Sequence, residues 1–222
     1  MFERASLSEQ VEAALRQEIT LGRLRPGQRI SAADYKTTWN VSSTPFRDAI
    51  RTLQIQGFVT VEPRKGVYVA PVNLKSLQEI FELRIALESM AIELATLLVP
   101  QQEAVAVRAA YLEARVRAEA GDRSSLAKSD RLVHDLAQNH CGNSRLQHLL
   151  SAHTDLFHWA QNTIIRELPK SYELALPEHI KIMDAVCDRD AAGSAAAMRF
   201  HLENSHRRLA GRLEFTTEKN LK

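Results

Sequence analysis

The sequence predicts a mainly α protein. A helix, a turn, a second helix and a small two-stranded β-wing form the N-terminal part, and an antiparallel all-α bundle follows. Three observations predict this. Over residues 20–70, short helical stretches are separated by Gly and Pro turns and end in two β-branched runs. From residue 74 onward apolar residues recur at three and four, with no strand signal. Charge is also divided unevenly, since residues 1–70 hold ten Lys and Arg against seven Asp and Glu, and the remainder nineteen against twenty. The excess is sharpest over 23–65, at eight against three. That suits a phosphate-contacting domain joined to a near-neutral one.

Taken in order, Leu7, Val11, Leu15 and Ile19 give the first helix, capped by Ser6 or Ser8 and ended by Gly22. Pro26-Gly27 turns the chain, Ser31 caps a short helix to about Thr38, and Asn40 suits a left-handed turn. Ser42 caps the next helix, Pro45 lies in its first turn, and Phe46, Ile50 and Leu53 form its buried face. Gly57-Phe58-Val59-Thr60-Val61 and Gly66-Val67-Tyr68-Val69 supply the wing strands around Glu62-Pro63-Arg64-Lys65. A short helix presenting polar and basic groups from its N-terminal end is what reading a DNA groove requires. The residues placed to do so are Lys36, Ser42, Ser43, Thr44, Arg47 and Arg51, with Arg64, Lys65 and Gly66 on the wing.

The predicted domains are 1–70, a linker at 71–73, a helical domain at 74–215 and a loose polar tail at 216–222. Six helical segments fall at about 74–98, 101–120, 123–140, 144–167, 171–188 and 191–214, with breaks near Pro100, Gly121, Gly142, Pro169 and Asp190. Pro177 allows the fifth to start late. No run approaches the ~18 apolar residues of a membrane helix, and the N-terminus has no signal pattern. Two cysteines, Cys141 and Cys187, make neither a disulfide framework nor a zinc ribbon. A cytoplasmic protein with reduced thiols is expected.

Several polar residues stand on apolar stripes. Arg84 interrupts Leu77, Ile80, Leu87, Ala91, Leu94 and Leu98, and needs either the carboxylate of Glu88, one turn on, or a ligand. Asp130 and His134 lie one turn apart beside Leu126, Val133 and Ala137. His179 falls between Leu176 and Met183, and His201 follows Met198. A carboxylate and three imidazoles facing one bundle interior suit a divalent transition metal, whereas a core histidine by itself is ordinarily only hydrogen-bonded. His153, on the stripe of Leu146, Leu150 and Phe157, competes for a place in the same interior.

These residues carry a resemblance. Gly22-Arg23-Leu24-Arg25-Pro26-Gly27, Val41-Ser42-Ser43-Thr44-Pro45-Phe46-Arg47-Asp48-Ala49-Ile50, Gly57 and Gly66-Val67-Tyr68-Val69 resemble the winged helix-turn-helix of GntR-type regulators. Glu82-Leu83-Arg84, Asp130 with His134, Gly142-Asn143, Glu178-His179 and His201-Leu202 are similar to the FCD domain of the FadR subfamily. The resemblance implies a homodimeric transcriptional regulator, a repressor, on a palindromic double-stranded DNA operator. It implies a divalent metal on Asp130, His134, His179 and His201, zinc ahead of nickel or manganese. It implies a small organic acid effector that Arg84 helps to hold, with His153, placed by its stripe, as a further candidate contact. The chain departs from the pattern at Ser43, where the family has arginine, at Lys36 and Trp39 for alanine and leucine, and at Ala32 for glutamate. Altered base preference is expected. Two other functions compete: a metal sensor without organic effector, and a metal-dependent hydrolase fused to a DNA-binding module. No motif sets a base beside the ligands as in His-Glu-x-x-His enzymes, so no enzyme is expected.

Overall fold

The computed structural model describes residues 6–39, 41–165 and 170–219. Asn40, Pro169 and residues 220–222 of the expected tail lie outside the described residues, as does the side chain of Lys36. Two compact units are present. One is Met1–Asn73 together with Ala152–Thr163, and the other Leu74–Ser151 with Ile164–Lys222.

In the first unit, α1 (Leu7–Thr20) opens on a capping box in which the Ser6 hydroxyl accepts from Glu9 N–H and the Glu9 carboxylate accepts from Ser6 N–H. This pairs two of the orphan donors at the helix start. Val11, Leu15 and Ile19 are buried along one stripe, which packs on α3 (Ser43–Ile55) through Phe46, Ala49, Ile50 and Leu53. Between them runs α2 (Ala32–Trp39), beginning directly after Ser31. Tyr35 stacks on Phe46 with ring centroids 6.0 Å apart and tilts against Trp39 at 4.5 Å. Trp39 therefore joins an aromatic group where a leucine would add only aliphatic contact.

The wing has three strands where the β-branched runs predict two. The extra one, β1 (Arg29–Ile30), pairs with β3 (Gly66–Val69), which pairs with β2 (Val59–Glu62), all antiparallel. Two residues carry no periodicity, so β1 is invisible to pattern. It forms because Gly27 N–H donates to Val69 and Val69 N–H to Gln28, at 3.0 and 2.9 Å. In the hairpin Arg64 has φ 66° and Gly66 φ 135°. A Cβ on Gly66 would also lie 3.0 Å from Arg29 Nε, so conformation and space both favour glycine here.

The second unit is built on α4 (Leu74–Leu98), with α10 (Ala191–Lys219) and α7 (Leu132–His140) against it. α9 (Lys170–Cys187) joins α10 and α5 (Gln101–Glu119). Its core includes Leu77, Phe81, Ile92, Tyr111, Ile182, Met183, Met198 and Leu202. Three predictions need correction. The single helix expected over 123–140 is α6 (Leu126–Ser129) and α7, with Asp130 and Arg131 between them. α10 continues to Lys219, past the expected start of a tail at Thr216, whereas α9 covers the expected 171–188 and runs straight through Pro177. The buried face of α4 is also rotated from the predicted stripe. Phe81, Glu88, Ile92 and Ala95 are buried on it, while Leu98 is 58% exposed.

α8 (Ser144–Ile165) carries Leu146, Leu150, Phe157 and Trp159 buried. Its stretch 152–163 belongs to the first unit, where Trp159 packs on Phe58 with centroids 6.0 Å apart. There Arg16, also bonded to Glu12 and Gln56, reaches Asp155 at 3.2 Å. Gln56 directly follows α3, so this polar cluster and the aromatic contact fix the back of the reading helix.

Candidate functional site

Two candidate sites emerge, one on each unit. On the first, Ser43, Thr44, Arg47 and Arg51 are exposed along α3. Their spacing of one, four and eight puts them on one face, beside the buried Phe46, Ile50 and Leu53. Ser42 occupies the N-cap position of α3 but makes no side-chain cap bond, a difference from the expected cap that leaves its hydroxyl available to a ligand. Arg64 and Lys65 are exposed at the wing tip, and Lys65 pairs with Glu62 at 3.0 Å. Among the described residues Arg47, Arg51 and Arg64 have no carboxylate partner. Arg29, lying against Gly66, adds a guanidinium to the wing that the sequence alone does not place there.

On the second unit, His134 of α7, His179 of α9 and His201 of α10 converge, each offering a ring nitrogen within 4.8 Å of the others. The ring centroids of His179 and His201 are 4.3 Å apart, and each lies 5.4 Å from that of His134. Asp130 stands beside the group, its Oδ1 4.0 Å from His179 Nδ1. It does so because the α6–α7 break puts it next to α9. Tyr111 packs on the His179 ring at 5.2 Å and accepts a bond from Val133 N–H at 2.9 Å, which ties the start of α7 to α5.

Two carboxylates brace this cluster from outside. Glu88 accepts from His134 Nδ1 at 2.5 Å and from Arg84 Nε and Nη2 at 2.5 and 3.2 Å. Glu178 accepts from His201 Nδ1 at 2.8 Å, from Asn204 at 2.8 Å, and from both Arg208 amino groups at 2.8 and 3.0 Å. Burial pushes the Glu88 carboxyl up, but Arg84 and His134 outweigh it and hold it well below the usual range. Glu178 is likewise raised by burial, and its bonds from His201, Arg208 and Asn204 bring it down to about 2. His179 is driven far below the ordinary imidazole value, first by burial and then by His201, His134, Arg208 and Arg84. Burial also lowers His201, with Glu178 opposing in part. Three converging imidazoles, with His179 and His201 buried and lowered, are the donor chemistry a divalent transition metal takes, so these residues fit such an ion.

Of the residues the sequence singles out, the fold thus gathers His134, His179 and His201, with Asp130 at their edge. Arg84 is buried beside them and engaged by Glu88, the i,i+4 partner its spacing allows. His153 is not gathered in. It sits on the part of α8 that clusters with the first unit. Sequence reasoning missed Glu178 and Arg208. For Arg208 a readable signal existed, because His201, Asn204 and Arg208 form a polar stripe at spacings of three and four.

A helix-turn-helix with a basic wing, on a chain that continues into a helical bundle with a buried histidine cluster, defines a winged-helix DNA-binding regulator. Residues 7–69 match the family described as bacterial regulatory proteins, gntR family, and residues 79–204 match the FCD domain. The chain belongs to the GntR family of transcriptional regulators, in the FadR-like branch that carries an FCD domain. It is 26% identical over 170 residues to the HTH-type transcriptional regulator YdhC of Bacillus subtilis (strain 168), covering 72% of this chain and 76% of that one. It is 27% identical over 181 residues to the Nta operon transcriptional regulator of Aminobacter aminovorans, covering 81% and 83%. The solved structure of E. coli McbR/YncC superposes with a TM-score of 0.69 at 21% identity, over 94% of this chain and 99% of the other. Among the described residues no helix is long and apolar enough to cross a membrane.

Proposed function

We propose that this regulator is a homodimeric repressor whose affinity for a palindromic operator depends on a divalent metal ion, zinc ahead of nickel or manganese, and on a small organic acid bound in the helical unit. The observation that carries the reading is the meeting of three histidines from three helices, two buried and His134 half-buried, with Asp130 at their edge. A buried ring needs a hydrogen-bond partner for its polar atoms, and three rings turned toward one point offer one another more lone pairs than protons. His134, His179 and His201 would hold the ion, with Asp130 supplying oxygen. A bound ion supplies the fixed positive charge that draws an effector carboxylate into a buried site.

The protein side chains do the rest. Arg84 is held on both Nε and Nη2 by Glu88, so an arriving acid meets a neutralised pair there. With Arg84 so engaged, the main anchor for the acid lies among the histidines. That same engagement favours a second reading, in which metal occupancy is itself the signal and no organic acid is needed. On the reading head, Arg47, Arg51, Arg64 and Lys65 neutralise phosphates while Ser42, Ser43, Thr44 and Lys36 approach base edges. A hydrolase is disfavoured because Glu88 and Glu178 are each held by an arginine and a histidine, which leaves neither as a general base.

Elemental analysis of wild type, Asp130→Ala and His179→Ala tests the metal assignment, and a thermal-shift screen of small di- and tricarboxylic acids on metal-loaded protein tests the effector. About one metal per chain in wild type, lost in both variants, with at least one acid raising Tm, is expected. Wild-type metal content retained in both variants would overturn the site. Metal binding with no acid response would leave the metal-sensor reading in place of the effector reading.

A further inference from the structure

We propose that Glu88 and Glu178 are positioning residues for the metal, each fixing one imidazole so that its Nε2 lone pair is free to bind. The inference rests on the metal reading and goes beyond it, to carboxylates that touch no metal. An ionised carboxylate has no proton to give, so the ring nitrogen facing it must carry one. A neutral imidazole has a single N–H. His134 Nδ1 faces Glu88 at 2.5 Å and His201 Nδ1 faces Glu178 at 2.8 Å, so in both rings Nε2 is the lone-pair atom. For His201 the placement is direct, because its Nε2 lies 3.2 Å from His179 Nε2 inside the cluster.

The two braces share one design. Each carboxylate comes from a different helix than its histidine, Glu88 on α4 for α7 and Glu178 on α9 for α10. Each is in turn held by a two-pronged arginine, Arg84 or Arg208. The arginines keep the carboxylates ionised in a dry site, and the carboxylates keep the rings in one tautomer and one orientation. His179 has no such brace. Its nearest carboxylate, Asp130, is 4.0 Å away, and in the metal-free protein its Nε2–H donates to His201 Nε2. Two rings are preset, and the third would move its one proton from Nε2 to Nδ1, or offer Nδ1 itself, to join them.

Zinc affinity by chelator competition, and the visible spectrum of the cobalt-substituted protein, are measured on full-length wild type, Glu178→Gln, Glu88→Gln and Glu103→Gln. The last is a control whose exposed carboxylate faces half-buried His140 at 2.8 Å, away from the cluster. Both buried variants are expected to bind zinc about 10–100-fold more weakly with shifted cobalt bands, while the control matches wild type. Nitrogen-15 spectra of the metal-free wild type are expected to show His134 and His201 as Nδ1–H tautomers. Should Glu88→Gln fail to fold, Glu178→Gln and the tautomer spectra still decide. Affinity within twofold of wild type for Glu178→Gln, or Nε2–H tautomers, overturns the proposal while leaving the metal site standing. A wild type that takes up neither zinc nor cobalt overturns both.

Discussion

Arg84 illustrates how one residue can be read two ways. Its position on an apolar stripe demands a partner, and spacing offers Glu88 one turn on. The resemblance to FCD domains instead suggests a clamp for an acid. In the structure the side chains of Arg84 and Glu88 are 8% and 9% exposed and paired, so the local partner is made. Removing Arg84 leaves the buried Glu88 charge with His134 as its remaining partner, and breaking a buried pair in this way costs about 3–5 kcal/mol. Arg84→Ala is therefore expected to lose that much stability in urea unfolding of the metal-free protein. A loss under about 1 kcal/mol would mean that Glu88 finds other support. At the other site, Arg47→Ala is expected to weaken operator binding by about 1–3 kcal/mol, with metal content and thermal unfolding unchanged, as fluorescence anisotropy would read. Undiminished affinity would remove α3 from the groove. The Arg84 pair was legible because both members share a helix. Glu178 was not, because its bond to His201 joins residues 23 apart in sequence, and only the packing of α9 on α10 brings them together.

At the scale of elements, long periodic segments are legible and short irregular ones are not. The stripe of Val11, Leu15 and Ile19 predicts α1 nearly to its ends, and Phe46, Ile50 and Leu53 predict α3. Two-residue β1 and the α6–α7 break have no periodic signal. Yet the break is what carries Asp130 to within 4.0 Å of His179. The wing depends on an element of three or four residues whose conformation few side chains tolerate. Gly66→Ala places a Cβ at φ 135°, 3.0 Å from Arg29 Nε, and should cost more than the ~1 kcal/mol of an unstrained glycine replacement. Circular dichroism melting of the variant should show the loss, and operator affinity should fall with it as Arg64 and Lys65 are displaced. An unchanged melt would mean that the hairpin relaxes freely. Leu53, fully buried in α3, gives a reference scale, since Leu53→Ala should cost about 2–5 kcal/mol.

For the whole molecule, charge and burial divide the labour. The basic excess lies over 23–65, and the buried histidine cluster lies in the other unit. Function in this reading is the coupling between them, and coupling is a difference in DNA affinity between metal or effector states, typically about 1–3 kcal/mol. Neither composition nor helix periodicity carries that quantity, because it belongs to two states of the protein rather than one. It can be measured directly. Operator affinity should be determined at fixed salt on one preparation, first stripped of metal and then reloaded with zinc, with His179→Ala treated the same way. The account predicts that zinc changes wild-type affinity by about 5-fold or more and leaves His179→Ala unmoved. Equal affinity of stripped and reloaded wild type would contradict a DNA-reading head governed by the histidine site.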